Sequence, residues 1–295
     1  MASTSAIRVF KDLKGLKEHI EKNHNNFVIE GRKDAKTYQG ATFYNNRIVD
    51  PTDSKKYPLI VRIEDILITG DMQDPDTKDD KKDPDAGNRH VAKFTLTTPN
   101  AGDFGQFIYI VDEIYGEWCK KQIDEENVEA GTKINPIVQR KYSFKHPDKD
   151  KRNKDKPIHT LRIKLDFSKY SDKHFQAFLR GKLKTEIYDY STKYVDDSKI
   201  IRYKLAEVDG KPVDETNVHK FITRGSRIVE GRIHIESTIN STFGFSMPLL
   251  AGRLVISSSP AGYFEGEEEI VAEPTDTSET IKEEAKKVGE FINSI

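Results

Sequence analysis

The stretch Thr160 to Phe167, with the sequence TLRIKLDF, decides the fold class because apolar and polar residues alternate strictly along it. Every second residue from Leu161 onward is apolar, and Arg162 and Lys164 fall between them. Successive side chains of an extended chain point to opposite sides. The pattern therefore predicts a β-strand with one buried face and one mostly cationic face.

A similar alternation runs from Ile200 to Ala206. We expect its apolar side chains to face a core and Arg202 and Lys204 to face outward. The expected inward residues are Ile201, Tyr203 and Leu205.

The segment Ser226 to Ser237 repeats the pattern once more, with Arg232 and His234 on the expected outer face. Glycine inside a strand often marks a bulge or a sharp bend, so Gly231 predicts an irregularity in this strand. The expected inward residues are Ile233 and Ile235.

Other segments complete a chain of many short strands and few helices. Period-two patterns predict strands over Tyr57 to Thr69 and Val91 to Thr98, and a closing hairpin over Thr242 to Ile256 that is broken at Pro248. Helical periodicity predicts helices over 11–22, 107–122 and 214–223, the second with its aromatic residues in the core. A capping box of Thr280 and Glu283 predicts a last helix in the C-terminal tail.

These elements predict a mainly β protein with peripheral helices, in the α+β class. The arrangement we expect is a small, antiparallel, OB-like barrel with long insertions, because strands of this length can curl around a small core. We expect an N-terminal helix and lead-in over 1–56, an OB-like nucleic-acid-binding domain over 57–257, and an acidic tail with a short amphipathic helix over 258–295.

Positive charge is concentrated between Lys133 and Lys184. This stretch carries sixteen Lys or Arg against five Asp, a local net charge of about +11, although the whole chain has a net charge of −1. Six aromatic rings lie among these cations: Tyr142, Phe144, Phe167, Tyr170, Phe175 and Phe178. Cations that neutralise phosphates and flat rings that stack on bases are what a single-stranded nucleic acid requires. Tyr142 and Phe144 also fit an alternative in which they are ordinary core residues of a strand.

The balancing negative charge lies largely at the C-terminus. Residues 261–295 contain ten acidic residues and three Lys, a net charge of −7. Such a tail can compete with an anionic ligand for the basic region or recruit a partner protein. The alternative is that both charged stretches are simply solvated.

The composition and the absence of common motifs narrow the function. With 35% hydrophobic and 33% charged residues, the chain is typical of a soluble protein. It has no apolar run of membrane-spanning length, and its single cysteine suits a reducing compartment, so we expect a cytoplasmic or nuclear location and no membrane partner. The sequence contains no phosphate-binding glycine loop, no dinucleotide fingerprint and no zinc-protease motif.

Neither a metal site nor a catalytic site is predicted. The eight histidines have no ligand spacing, and the Asp-rich segment 71–85, predicted to be a loop, departs from the calcium-loop pattern. No pair of carboxylates is set apart, so a nuclease site cannot be argued. We therefore predict a protein that is not an enzyme and needs no cofactor.

Four short motifs resemble the single-stranded DNA-binding proteins of large nucleocytoplasmic DNA viruses, the asfarvirus and poxvirus type. They occur in order: Gln139-Arg140-Lys141-x-Ser143, Leu161-Arg162-Ile163-Lys164, Asn217-x-His219-Lys220-Phe221-Ile222 and Phe245-Ser246-Met247-Pro248-Leu249. The resemblance implies an OB-like fold that binds single-stranded DNA in viral DNA replication or repair, without catalysis.

The resulting prediction is a sequence-tolerant single-stranded DNA-binding protein. The residues expected to contact phosphates are Arg140, Lys141, Lys145, Arg162, Lys164, Arg202, Lys204 and Arg232, and those expected to stack on bases are Tyr142 and Phe144. RNA stays open as a ligand, because these contacts do not distinguish the sugar. Replication proteins that bind the acidic tail and a second copy of the chain are candidate partners. The alternative function is a non-catalytic scaffold whose basic face binds an acidic protein.

Overall fold

The computed structural model describes seven parts of the chain: residues 8–31, 36–38, 40–73, 92–125, 127–141, 158–170 and 180–258. Three α-helices occur in these parts: α1 (Leu13–Lys22), α2 (Gly102–Asp124) and α3 (Val218–Phe221). Short 3₁₀ helices occur at His24–Asn26, Pro99–Ala101 and Tyr190–Thr192.

The strands outnumber the helices. The first ten are β1 (Phe27–Ile29), β2 (Lys36–Tyr38), β3 (Ala41–Tyr44), β4 (Asn46–Val49), β5 (Lys56–Pro58), β6 (Ile60–Leu67), β7 (Gly70–Gln73), β8 (Ala92–Thr97), β9 (Val138–Lys141) and β10 (Ile158–Leu165). The others are β11 (Glu186–Asp189), β12 (Tyr194–Val195), β13 (Ile201–Arg202), β14 (Glu207–Val208), β15 (Lys211–Pro212), β16 (Arg227–Ile235), β17 (Thr238–Ser241), β18 (Gly244–Ser246) and β19 (Leu249–Ser257). The predicted class, mainly β with few helices, is therefore confirmed.

A main sheet of eight strands organises the fold. Its central order is β6, β16, β19, β10, β8, β7; β9 also pairs with β10, and β11 also pairs with β19. The sheet curls into a half-barrel. Most of its pairings are antiparallel, as expected, but β19 runs parallel to both β10 and β11. The OB-like assignment itself stays a prediction.

Smaller sheets surround the main sheet. One has the order β1, β4, β5, and another has the order β18, β17, β3, β2. Two hairpins, β12 with β13 and β14 with β15, form two-stranded sheets of their own. The boundaries expected at residues 56 and 257 stay predictions.

One hydrophobic core cluster connects the helices with the main sheet. In α1, the Asp12 side chain accepts a hydrogen bond from the Gly15 amide at 2.8 Å, and Leu13, Leu16 and Ile20 are buried. An aspartate at this position satisfies an amide that the first turn would otherwise leave unpaired. The predicted helices over 11–22 and 107–122 are confirmed as α1 and α2. The predicted helix over 214–223 is shorter, because Asp214 accepts bonds from Thr216 in a turn that precedes α3.

Most aromatic residues of α2 belong to the core, as predicted, but Tyr109 is exposed. Phe104, Phe107 and Tyr115 are almost completely buried. The Trp118 ring packs edge-on against Tyr44 at 4.9 Å and against Phe245 at 5.8 Å between ring centroids. These contacts tie α2 to β3 and β18 of the four-stranded sheet.

The prediction of a closing hairpin over 242–256 is wrong. Strand β18 pairs with β17, whereas β19 enters the middle of the main sheet between β16 and β10. Pro248 lies between the two strands, as a residue that cannot donate a sheet hydrogen bond should. Seven of the nine residues of β19 are buried, which is typical of a central strand rather than an edge.

The prediction that Ile200 to Ala206 forms a strand with an inner face is also wrong. Only β13 is extended there, and Ile201 and Leu205 are 49% and 48% exposed. Asp196 accepts hydrogen bonds from the amides of Ser198 and Ile200 and turns the chain into a short hairpin. An alternating pattern predicts that the two faces of a strand differ in polarity. It does not predict whether the rest of the protein covers the apolar face.

The irregularity expected at Gly231 is present. Register shifts flank it, between Ile228 and Glu230 and between Arg232 and Ile233. The structure also gives a further reason for a glycine: a Cβ here would lie 2.8 Å from Leu254 Cδ2 and 3.1 Å from Ile63 Cγ1. Side chains of three adjacent strands therefore pack closely at this point, and a larger residue would require Leu254 and Ile63 to shift.

Candidate nucleic-acid interface

Strand β10 has the two faces that its sequence predicts. Leu161, Ile163 and Leu165 are at most 1% exposed, whereas Arg162 and Lys164 are half-buried on the other side. Register places further cations on that side, which we call the basic face of the main sheet. Its members are Arg62, Lys93, Arg162, Lys164, Arg232 and Arg253.

Two lysines lie directly opposite each other on the basic face. Lys164 of β10 pairs in register with Lys93 of β8. Burial and then the charge of Lys93 lower the pKa of Lys164, against the opposite effect of Glu236 and Asp166. Like charges at opposed positions destabilise a sheet, so this pair is costly unless an anion lies between the lysines.

Arg162 is the neighbouring cation on β10, in register with Thr95. Its Nε atom is buried and has no hydrogen-bond partner among the residues that the structure describes. A buried donor without a partner is unfavourable, so an acceptor supplied by a ligand would stabilise it.

Arg232 lies between two other arginines. It is in register with Arg62 on β6 and with Arg253 on β19, so three arginines form one row across adjacent strands. Arg62 makes ion pairs with Glu64 at 2.5 Å and with Glu230 at 3.3 Å. Arg232 is exposed and, within the described chain, forms no ion pair.

His234 follows Arg232 on the same face, over Gly252 of β19. A Cβ on Gly252 would lie 2.6 Å from His234 Nε2, so glycine is needed for this close approach. Burial and then the charge of Arg232 lower the pKa of His234 to about 4. His234 is therefore neutral at pH 7 and adds no charge to the basic face.

Two predicted phosphate contacts lie outside the main sheet. Arg202 is in β13, and its Nε lies 2.9 Å from Asp196 Oδ2 in an exposed ion pair. This bond raises the pKa of Arg202 and lowers that of Asp196. Lys204 is exposed two residues further on, after the end of β13, and its carbonyl accepts a hydrogen bond from the Asp189 amide of β11.

The remaining predicted residues are on or beside β9. Arg140 pairs with His159, and Lys141 pairs with Ile158, so both lie in the main sheet next to β10. Tyr142, Phe144 and Lys145 lie outside the described residues, as do most of the Asp-rich segment and the acidic tail.

Sequence reasoning missed three members of the basic face: Arg62, Lys93 and Arg253. Each is a single cation within an apolar strand, as in VAKFTLT around Lys93. A lone cation in such a strand could have indicated a residue of the basic face. It also missed Tyr188 of β11, whose ring lies 4.7 Å from the Arg253 guanidinium carbon. A guanidinium over an aromatic face is stabilised by the ring quadrupole.

The described residues contain no group of three or more His, Cys, Asp or Glu side chains placed to hold a metal ion. Cys119 is buried, and burial raises the pKa of its thiol to about 12, so it is not a reactive nucleophile. In the same parts of the chain, no helix combines the length and the apolarity needed to cross a membrane.

Comparison with known proteins gives only distant similarity. No protein-family model matches the sequence, and no curated protein matches it. Among solved structures, it is similar to gp2.5, a single-stranded DNA binding protein encoded by bacteriophage T7, with 13% identity and a TM-score of 0.34 over 71% of this chain and 98% of that one. It is also similar to a C-terminally truncated single-stranded DNA-binding protein from bacteriophage Enc34, with 9% identity and a TM-score of 0.30 over 80% of this chain and 97% of that one.

Similarity at this level carries no argument about the fold or the function of this chain. Neither structure is of the large DNA virus type, so that resemblance stays a prediction. The functional argument therefore rests on the basic face itself.

Proposed function

We propose that this protein binds single-stranded DNA without sequence preference and without catalysis. The observation that carries the proposal is the two-sided strand β10, with buried aliphatic residues on one side and Arg162 and Lys164 on the other. Lys93 lies opposite Lys164, so the positive charge extends across neighbouring strands.

Most of the positive charge on the basic face is not matched by a described carboxylate. Five cations of the basic face form no ion pair with a described residue: Lys93, Arg162, Lys164, Arg232 and Arg253. A row of cations on a sheet can bind a polyanion such as a nucleic acid, whose backbone has one phosphate per nucleotide. Neutralising these phosphates releases their counterions, which favours binding. Arg140 and Lys141 of β9 extend the proposed phosphate contacts.

Preference for a single strand requires aromatic rings as well as cations. We propose Tyr142 and Phe144, which follow β9, as stacking residues that contribute roughly 1 to 3 kcal/mol per base. An OB-like barrel, a role in viral DNA replication or repair, and a cytoplasmic or nuclear location belong to the same proposal. Arg202 and Lys204 are proposed only as weaker contacts, because Asp196 already neutralises Arg202.

A salt titration tests the proposal. With about five phosphates neutralised, log K should fall with log salt with a slope of about −3.5, so affinity should fall about a hundredfold between 50 and 200 mM salt. Fluorescence anisotropy with single-stranded DNA, duplex DNA and RNA of equal length measures both slope and preference. A flat salt response would refute phosphate binding, and equal affinity for the duplex would refute stacking.

A second candidate function is a scaffold that binds another protein. One observation favours it: the hairpin of β12 and β13 exposes Val195, Ile200 and Ile201, with exposed fractions of 63%, 49% and 49%. Clustered exposed apolar residues are typical of protein interfaces. If these residues bind a protein, Val195→Ser with Ile201→Ser abolishes that binding and leaves DNA affinity unchanged.

A further inference from the structure

The arginine row, defined as Arg62, Arg232 and Arg253, places three like charges side by side on the main sheet. The three residues are directly opposite one another on β6, β16 and β19. Opposed like charges on neighbouring strands destabilise a sheet unless other groups offset their repulsion. The groups that offset this repulsion differ from one arginine of the row to the next.

At one end of the row, Arg62 is neutralised by the protein. Glu64 and Glu230 both lie within ion-pair distance of its guanidinium. Its charge is therefore matched by two carboxylates of the protein, although its buried Nε, like that of Arg253, has no acceptor in the described chain.

At the other end, Arg253 is oriented by the Tyr188 ring and lies in register with Glu186 of β11, but the two form no ion pair. Its guanidinium lies over the Tyr188 ring, and the Tyr188 hydroxyl donates a hydrogen bond to Glu186 at 3.0 Å. Its buried Nε has no acceptor in the described chain, and no described carboxylate forms an ion pair with it. Arg232, between the two, is exposed and also lacks an ion-pair partner among the described residues.

Two neighbouring guanidinium groups that form no ion pair with a described residue can together bind one anion. A planar guanidinium donates parallel hydrogen bonds that match two oxygens of a phosphate group. The stacking of Arg253 on Tyr188 reduces the entropy lost when the phosphate binds, because that side chain is already held in place.

We propose that Arg232 and Arg253 form a phosphate-binding site that holds one phosphodiester group of a nucleic-acid strand, with Tyr188 as a positioning residue for Arg253. This inference rests on the proposed function for its ligand. It goes further in predicting that the three arginines of the row contribute unequally to DNA affinity. It also predicts that the site binds inorganic phosphate.

The first experiment compares charge-removing variants along the row. Arg232→Gln and Arg253→Gln should each weaken binding of single-stranded DNA about tenfold and reduce the magnitude of the salt slope by about 0.7. The matched control is the double variant Arg62→Gln with Glu230→Gln, which removes a row arginine but keeps the net charge. It should bind like the wild type.

The positioning role of Tyr188 has its own variant. Tyr188→Leu keeps all the charges but removes the ring under Arg253, so affinity should fall while the salt slope stays unchanged. Tyr188→Phe keeps the ring and should restore the affinity. If both tyrosine variants bind equally well, Tyr188 does not position Arg253.

The second experiment uses inorganic phosphate alone. Phosphate should raise the melting temperature of the wild type and of the Arg62→Gln, Glu230→Gln control, because it binds the folded state. It should have no such effect on Arg232→Gln with Arg253→Gln. Without phosphate, Arg232→Gln with Arg253→Gln should melt at or slightly above the wild-type temperature, since it relieves repulsion in the row.

The outcomes separate this inference from the proposed function. If the wild type binds DNA and the two arginine variants bind as tightly as the control, the site is refuted and the proposed function stands. If the wild type binds no DNA, the proposed function is refuted, and the phosphate shift still decides whether the anion site exists. A shift that survives in the double arginine variant would also refute the site.

Discussion

The basic face of the main sheet and the hairpin of β12 and β13 both carry cations, but they use them differently. On the sheet, Arg162, Lys164 and Arg232 lie over a core and have no ion-pair partner among the described residues. On the hairpin, Arg202 is exposed and paired with Asp196. The comparison teaches that the local count of cations is a poor guide to a binding surface. What distinguishes the sheet is that five of the six cations on its basic face form no ion pair with a described residue.

The largest expected effect concerns β10. Replacing Arg162 and Lys164 together by Gln should weaken binding of single-stranded DNA by roughly tens of fold and reduce the magnitude of the salt slope by about 1.4, because two phosphate contacts are lost. Anisotropy titrations at several salt concentrations measure both quantities. The melting temperature should stay unchanged or rise, since Lys164 no longer opposes Lys93. A variant that unfolds would contradict the assignment of these residues to a ligand face.

The second prediction concerns the packing beneath the basic face. Gly231→Ala should destabilise the protein by about 1 to 3 kcal/mol, because the new Cβ would meet Leu254 and Ile63 at 2.8 and 3.1 Å. Urea unfolding measures the change. The control is Gly116→Ala in α2, where a Cβ meets nothing within 4 Å and should stabilise the helix by up to about 1 kcal/mol. Equal effects at the two positions would contradict close packing at Gly231.

The third prediction uses His234 as a sensor of charge on Arg232. Because the Arg232 charge contributes to the low pKa of His234, Arg232→Gln should raise that pKa above about 4 while burial keeps it below 6.5. NMR titration of the imidazole signals measures the shift, and bound DNA should shift it in the same direction. An unchanged pKa in the variant would show that the Arg232 charge does not affect His234.

The same histidine makes folding stability depend on pH. The unfolded chain binds its proton near pH 6.5 and the folded chain only near pH 4, so stability falls as pH decreases across this range. His234→Gln should reduce that loss. Urea midpoints at pH 7 and pH 5 provide the test, and a variant with the wild-type pH dependence would contradict it.

The smallest effect is expected at the hairpin. Arg202→Gln with Asp196→Asn removes an exposed, mutually neutralised pair, so DNA affinity and the salt slope should change only slightly. A loss comparable to that of the β10 variant would abolish the distinction between the two regions and make Arg202 a full phosphate contact.

The sequence predicted part of this architecture well. The alternation in Thr160 to Phe167 correctly gave β10 its two faces, and helical periodicity correctly gave α1 and α2. Those patterns are local, so they need no knowledge of the neighbours. The position of β19 could not be found in this way, because its apolar run suits either a hairpin or a central strand until its partners are known.

The basic face also combines features that local sequence patterns predict with features that they do not. Arg162, Lys164 and Arg232 were predicted because each alternates with apolar residues, whereas the relation of Arg232 to Arg62 and Arg253 depends on register between strands that are distant in sequence. Arg202 was assigned to the same surface because its local pattern resembles that of Arg162. The two residues differ because the turn at Asp196 places Arg202 in a separate hairpin.

The central position of β19 has a consequence for synthesis of the protein. Strand β19 lies between β16 and β10 and carries Arg253, yet it is the last described strand in the chain. A ribosome-bound chain that has not yet released residues 249–257 has all the other cations of the face but no strand to join β16 to β10. Because such distant pairings form only after the last segment arrives, the binding surface should assemble in one late step. Incomplete chains should therefore not compete with the finished protein for nucleic acid.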